Sequence, residues 1–146
     1  MEAAIDVTSS VEIAAPPDQV ARVLFDWHND PKWIGAVSES RMTTPEPFDV
    51  GSRVLRQAAF LGRRFAYETE VLEIDPGRRL VMKAPQPFPM TVTYEVHAAG
   101  PGSRVTIRNA GDPGGMFRLA GPLLGALVDR RVTGDLKRLK GLVEAP

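Results

Sequence analysis

The sequence predicts an α+β fold in which a curved antiparallel sheet of seven strands wraps a long C-terminal helix, with two short helices after the first strand. Three observations carry this. Ile5 to Ile13 alternate apolar and polar, the period of a strand with one face buried and the other in water. From Glu39 to Asn109 the signals are all strand and turn, with connections that suit antiparallel neighbours and are too short for parallel crossovers. After the break Ala110-Gly111-Asp112-Pro113-Gly114-Gly115, the chain reads as helix to about Glu144.

In the first strand Ile5, Val7, Val11 and Ile13 point one way with Ser9 among them. Pro16-Pro17-Asp18 then starts a helix, since proline needs no N–H in the first turn and Asp18 suits the positive end of the dipole. Val20, Val23, Leu24 and Trp27 follow as one helical stripe, and His28-Asn29-Asp30-Pro31 breaks it. Lys32 to Val37 forms a second short helix that carries Trp33 inward. Six strands follow near 39–44, 52–60, 64–74, 79–84, 89–98 and 103–109. They are separated by turns at Pro45-Glu46-Pro47, Leu61-Gly62-Arg63, Asp75-Pro76-Gly77, Pro85-Gln86-Pro87 and Gly100-Pro101-Gly102. The last helix changes character along its length. It is apolar nearly all round from Met116 to Val128, which predicts enclosure on more than one side, with Pro122 kinking it or starting its main part. From Asp129 onward Val132, Leu136, Leu139 and Val143 form one face, with basic residues opposite.

Composition narrows the function. The 146 residues suit one domain spanning 1–146. Eighteen basic and eighteen acidic residues cancel, so the basic excess of a nucleic-acid binder is missing and no such partner is expected. With no cysteine there is no disulfide, thiolate metal site or cysteine nucleophile. The first residues, MEAAIDVTSSVEI, lack a signal-peptide pattern, and the protein reads as cytoplasmic. The run Met116 to Val128 is too short to span a membrane, for which about 20 apolar residues are needed.

Three stretches together resemble the START/polyketide cyclase superfamily, the helix-grip fold. They are VEIAAPPDQVARVLFDWHNDPKW (Val11 to Trp33), the hairpin VLEIDPGRRLVM (Val71 to Met82) and the helix end DLKRLKGLVE (Asp135 to Glu144). The order of elements agrees over essentially the whole chain. The resemblance implies the fold; it does not choose among the superfamily's cyclases, dehydratases, steroid and lipid carriers and ubiquinone-binding proteins. Several motif residues have structural readings: Trp27 and Trp33 plug the end of the grip, and Asp75-Pro76-Gly77 is a turn.

A curved sheet and one helix cannot close perfectly, so a cavity is expected. Ligand pockets are concave and mostly apolar, and a void below roughly 300 Å³ would take the basis from a binding role. Strand parity turns Phe65, Tyr67, Thr69 and Val71 inward, then slips to Leu72 and Ile74, which indicates a bulge. It also turns in Leu80, Met82, Met90, Val92, Tyr94, Val96, Val105, Ile107 and Asn109, and puts His97 in solvent. Strand 52–60 reads two ways. If Val54, Ala58 and Phe60 face in, Arg56 is a buried cation needing a partner carboxylate or an anionic ligand. The favoured alternative places it near the rim, reaching water. The expected ligand-binding residues are Trp33, Arg56, Phe60, Phe65, Tyr67, Met82, Met90, Tyr94 and Asn109 from sheet and entry helix, with Leu119, Leu123 and Leu127 from the last helix.

Catalytic machinery is scarce. Neither His28 nor His97 is placed as a base, no ligand spacing suggests a metal, and no nucleophile elbow or phosphate loop is present, so no metal or cofactor is expected. Tyr67 and Tyr94 are the best inward polar side chains, able to orient a ligand or act as weak general acids. The leading reading is a binder of a hydrophobic small molecule such as a polyketide, lipid or aromatic compound. A cyclase or dehydratase acting on such a ligand is the second. The third is an interaction module docking on a partner or membrane through residues 116–128.

Overall fold

The computed structural model describes residues 5–60, 62–85, 88–114 and 121–145, the side chains of Phe60 and Gly121 excepted. In chain order the elements are β1 (Ile5–Ile13), α1 (Pro17–Leu24), a 3₁₀ turn (Trp27–Asn29) and α2 (Asp30–Trp33). Six strands follow: β2 (Val37–Met42), β3 (Arg53–Phe60), β4 (Arg63–Asp75), β5 (Arg79–Ala84), β6 (Met90–Ala99) and β7 (Gly102–Gly111). Helix α3 (Gly121–Glu144) ends the chain. All seven strands lie in one sheet of order β1-β7-β6-β5-β4-β3-β2, every pair antiparallel. This is the helix-grip α+β fold.

Most of the core follows from the patterns above. Ile5, Ser9 and Ile13 are buried at every fourth position of β1, with Val7 and Val11 half-buried between them. Leu136, Leu139 and Val143 of α3 join Val20 and Leu24 of α1 and the inward residues Val71, Leu80, Met82, Val96, Val105 and Ile107 in one cluster. Trp33 is 1% exposed and lies in the same cluster. One hydroxyl holds the link from β1 to α1 against β7, and another ties β1 to α3. Ser103 donates to the Ala15 carbonyl at 2.6 Å, and buried Ser9 donates to Asp129 Oδ1 of α3 at 2.6 Å. Ser9→Ala should therefore cost about 1 kcal/mol in urea denaturation and hasten amide exchange in the first turns of α3. An unchanged midpoint would show that apolar packing alone holds α3 on β1.

Four expectations are corrected. The second helix is Asp30–Trp33, not Lys32 to Val37, and β2 starts at Val37. Pro31 does not end a helix here but stands in its first turn, where the missing N–H costs nothing. Trp27 lies outside α1, half-exposed and stacked on His28 with ring centroids 3.6 Å apart, so only Trp33 plugs the grip. The β4 bulge exists, with the register shifting between Val71 and Glu73, but Leu72 is the unpaired extra residue and is exposed; Ile74 alone turns back toward the core. Finally, the described part of 116–128 is not enclosed all round. Leu123 is 74% exposed and Ala126 is exposed, while Leu124, Leu127 and Val128 are half-buried.

Candidate functional site

Between the concave face of the sheet and α3 lies one cavity. Its apolar wall comes from alternate residues of neighbouring strands: Phe65 on β4, Met82 and Ala84 on β5, Met90 and Val92 on β6, and Ile107 on β7. Antiparallel register stacks them, since Met82 stands opposite Val92 and Tyr94 opposite Ile107. Trp33 and Ile34 close one side, and α3 adds Val128, Arg131, Val132 and Asp135. Val128, Val132 and Asp135 are spaced i, i+4 and i+7, one stripe of a helix.

Of the residues expected from the sequence, the structure brings Trp33, Phe65, Tyr67, Met82, Met90, Tyr94 and Asn109 to this one wall. Leu123 and Leu127 are not on it. At about 100° per residue, Leu123 is turned about 140° from Val128 and Leu127 about 100°. Leu119 and the Phe60 side chain lie outside the described residues. The cavity holds about 170 Å³, below the roughly 300 Å³ floor, so the expectation of room for a polyketide- or lipid-sized ligand fails and only space for a single ring is left. Trp33, Tyr94, Met82 and Ile107, all under 8% exposed, fill the rest of the interior with packed side chains.

Arg56 corrects the reading that favoured the rim. Val54, Arg56 and Ala58 face in, and Arg56 is 4% exposed. Its Nε–H donates to Asp30 Oδ2 at 2.7 Å, its Nη1 donates to the Thr69 hydroxyl, and its guanidinium carbon stands 6.0 Å from the Tyr67 ring centroid. Asp30 is itself 1% exposed. Burial pushes the Asp30 carboxyl above the usual carboxylate range against the pull of Arg56. For Arg56, burial opposes the charge, but the Asp30 carboxylate beside it outweighs this and holds the guanidinium more firmly protonated. The cation is satisfied from within and is not on the cavity wall, so it offers no anchor for a carboxylated ligand.

The two tyrosines differ from it. Neither hydroxyl has a hydrogen-bond partner among the described residues, and both border the cavity. Tyr94 is 7% exposed and packs edge-on to Trp33 with centroids 5.8 Å apart; Tyr67 lies 5.9 Å from Phe65. Burial raises the pKa of both phenols, which keeps them neutral. Asp135 is also raised by burial, while it accepts from the Gly35 N–H at 3.0 Å and from Arg138. His97 is exposed, and His28 pairs with Asp26 at 2.7 Å in solvent, far from the role of a cavity base. Among the described residues no group of three or more His, Asp or Glu could hold a metal ion.

Sequence reasoning missed Asp30, Arg131 and Asp135. For Asp30 the signal was partial, since an inward arginine requires a carboxylate but nothing in the local pattern says which one. For the helix residues only the α3 stripe, extended backward from Leu136 to Val132 and Val128, could have found them.

The family described as "Polyketide cyclase / dehydrase and lipid transport" matches residues 4–144. The chain belongs to that family. Solved structures agree in fold. TTHA0849 from Thermus thermophilus superposes with a TM-score of 0.75 at 23% identity, covering 96% of this chain and 97% of that one. A START superfamily protein from Mycobacterium smegmatis gives 0.77 at 17% identity, with 95% and 97% covered. The di-domain ARO/CYC StfQ of the steffimycin biosynthetic pathway gives 0.79 at 16%, covering 96% of this family member but only 50% of StfQ. No curated protein sequence matches significantly. No helix among the described residues is long and apolar enough to cross a membrane. Leu123 is the one large hydrophobic on the described part of 116–128 that is mostly exposed, and a single exposed leucine is ordinary for a protein surface.

Proposed function

We propose that this family member binds a small, mainly apolar molecule in the cavity between its sheet and α3. The observation that supports this most is the wall itself: side chains from five adjacent strands and two helices converge on one mostly apolar space with tyrosine hydroxyls unpartnered among the described residues. Its size limits the ligand. An engineered cavity of about 150 Å³ takes benzene, so 170 Å³ suits one ring with a short substituent and not an extended polyketide or acyl chain. Apolar burial supplies most of the affinity, and Tyr67 and Tyr94 fix orientation. A cyclase or dehydratase reading would rest on the same hydroxyls, but burial raises both pKa values and makes them weaker proton donors, which favours orientation by hydrogen bonding over proton transfer. The expected place of action is the cytoplasm.

The test is a titration of isotope-labelled protein with ethylbenzene and acetophenone followed by NMR. Methyl resonances of Met82, Met90, Val92 and Ile107 should shift together and saturate. Shifts confined to the outer face of the sheet, or none at millimolar probe, would overturn the reading.

A further inference from the structure

Two donors on the cavity wall have nothing to donate to. Trp33 Nε1 and Asn109 Nδ2 are buried and make no hydrogen bond among the described residues, in side chains of residues only 1% and 8% exposed. Both residues line the same cavity, Trp33 from α2 and Asn109 from β7. An unmade hydrogen bond on a buried donor costs about 1–3 kcal/mol, so such groups are rare and call for a partner.

The wall does not hold that partner. The Asp135 carboxylate, the one acid among its described residues, takes the Gly35 N–H and Arg138 on Oδ1 and accepts from neither donor. Thr69 accepts from Arg56, whose charge is in turn matched by Asp30. The Tyr67 and Tyr94 hydroxyls can donate or accept but take neither bond, and Arg131 adds further donors, in a space otherwise lined by apolar side chains such as Phe65, Met82, Val92 and Ile107.

We infer that the ligand class is a neutral one-ring compound bearing a carbonyl oxygen, a ketone, ester or quinone, whose lone pairs accept from Trp33 and Asn109. The inference rests on the cavity being the binding site and adds the chemistry that site selects. A hydrocarbon would leave both donors orphaned, and an ammonium ion would present only donors to donors. A carboxylate would bring a second negative charge beside Asp135 into a mostly apolar space, where Asp30 already matches Arg56 and Arg131 already acts on Asp135.

Acetophenone and α-methylstyrene test this directly, because they share a shape and differ by oxygen against methylene. In ¹⁵N-labelled protein, Trp27→Phe leaves the Trp33 indole as a single resonance, and Asn109→Leu identifies the Asn109 amide by its loss. Acetophenone should bind about fivefold or more tightly than α-methylstyrene, as one added hydrogen bond allows. The Trp33 indole and Asn109 amide protons should move downfield with the ketone alone. Asn109→Leu should bring the two affinities together by weakening acetophenone, with α-methylstyrene unaffected or tighter. Equal affinities in the wild-type protein would overturn the carbonyl assignment and leave the cavity reading intact. Benzoate binding more tightly than acetophenone would overturn neutrality. If no probe shifts the cavity methyls, the binding site itself is wrong.

Discussion

Replacing Asp30 with asparagine should destabilise the protein by about 3–5 kcal/mol, the usual cost of leaving one member of a buried ion pair without its partner. Replacing Arg56 with methionine should cost less, and the difference has a definite cause. The Asp30 carboxyl is already pushed upward by burial, so without Arg56 it can take a proton and become neutral. Arg56 has no such escape, because its proton is held more firmly than in water. The two variants should also differ in pH dependence. In Arg56→Met the folded-state pKa of Asp30 rises further above its unfolded value. Stability from that carboxyl is then fully present in acid and is lost as pH rises through the folded pKa. Urea denaturation at pH 5 and pH 8 should show Arg56→Met weaker at the higher pH, with Asp30→Asn lacking that slope. The double variant Asp30→Leu, Arg56→Met should recover much of the loss, since apolar pairs of similar volume often replace buried ions without penalty. An Asp30→Asn protein as stable as wild type would mean that water reaches the pair.

The buried pair also shows where sequence reading ends. The sheet was legible because alternation in β1, β4, β6 and β7 has a period of two, and a one-residue slip would turn the apolar set to solvent. The bulge at Leu72 left its trace as a change of parity, although which residue was extra depended on the register with β5. Arg56 was ambiguous because Arg53 and Gln57 on one face of β3, and Arg56 itself on the other, leave no clean apolar set. Its partner lies 26 residues earlier in a segment that read as a helix break. Local pattern carries no information on that pairing; it arises when α2 closes over the sheet. The helix side of the cavity was misjudged for a related reason. Nearly continuous apolar sequence in 121–128 has no stripe to fix its phase, so Leu123 and Leu127 could not be told from Val128. The strand side, where parity is binary, placed Phe65, Tyr67, Met82, Met90 and Tyr94 on the wall where the structure has them.

Tyr94→Phe is expected to weaken the best-bound one-ring ketone about tenfold while the denaturation midpoint stays put. The substitution keeps the ring and its edge contact with Trp33 at 5.8 Å and removes only the hydroxyl. In an ordinary core tyrosine the hydroxyl satisfies a buried partner, and its loss costs about 1 kcal/mol of stability. Tyr94 has no such partner among the described residues, so folding has nothing to lose, and the oxygen borders the space where a ligand sits. Tyr67 is the internal comparison. Its hydroxyl is also unpartnered, but the ring stands beside the Arg56 guanidinium, so Tyr67→Phe should perturb the ion pair's surroundings as well as the cavity. The same variant separates carrier from catalyst. If Tyr94 hands its proton to a reacting carbonyl oxygen, ligand should still bind and turnover should fall by roughly a hundredfold or more. A carrier has no turnover to lose, and only the affinity changes. Isothermal titration of both variants with acetophenone, beside their urea midpoints, decides the assignment. A lower midpoint with unchanged affinity would return Tyr94 to the role of a core residue whose hydroxyl serves folding.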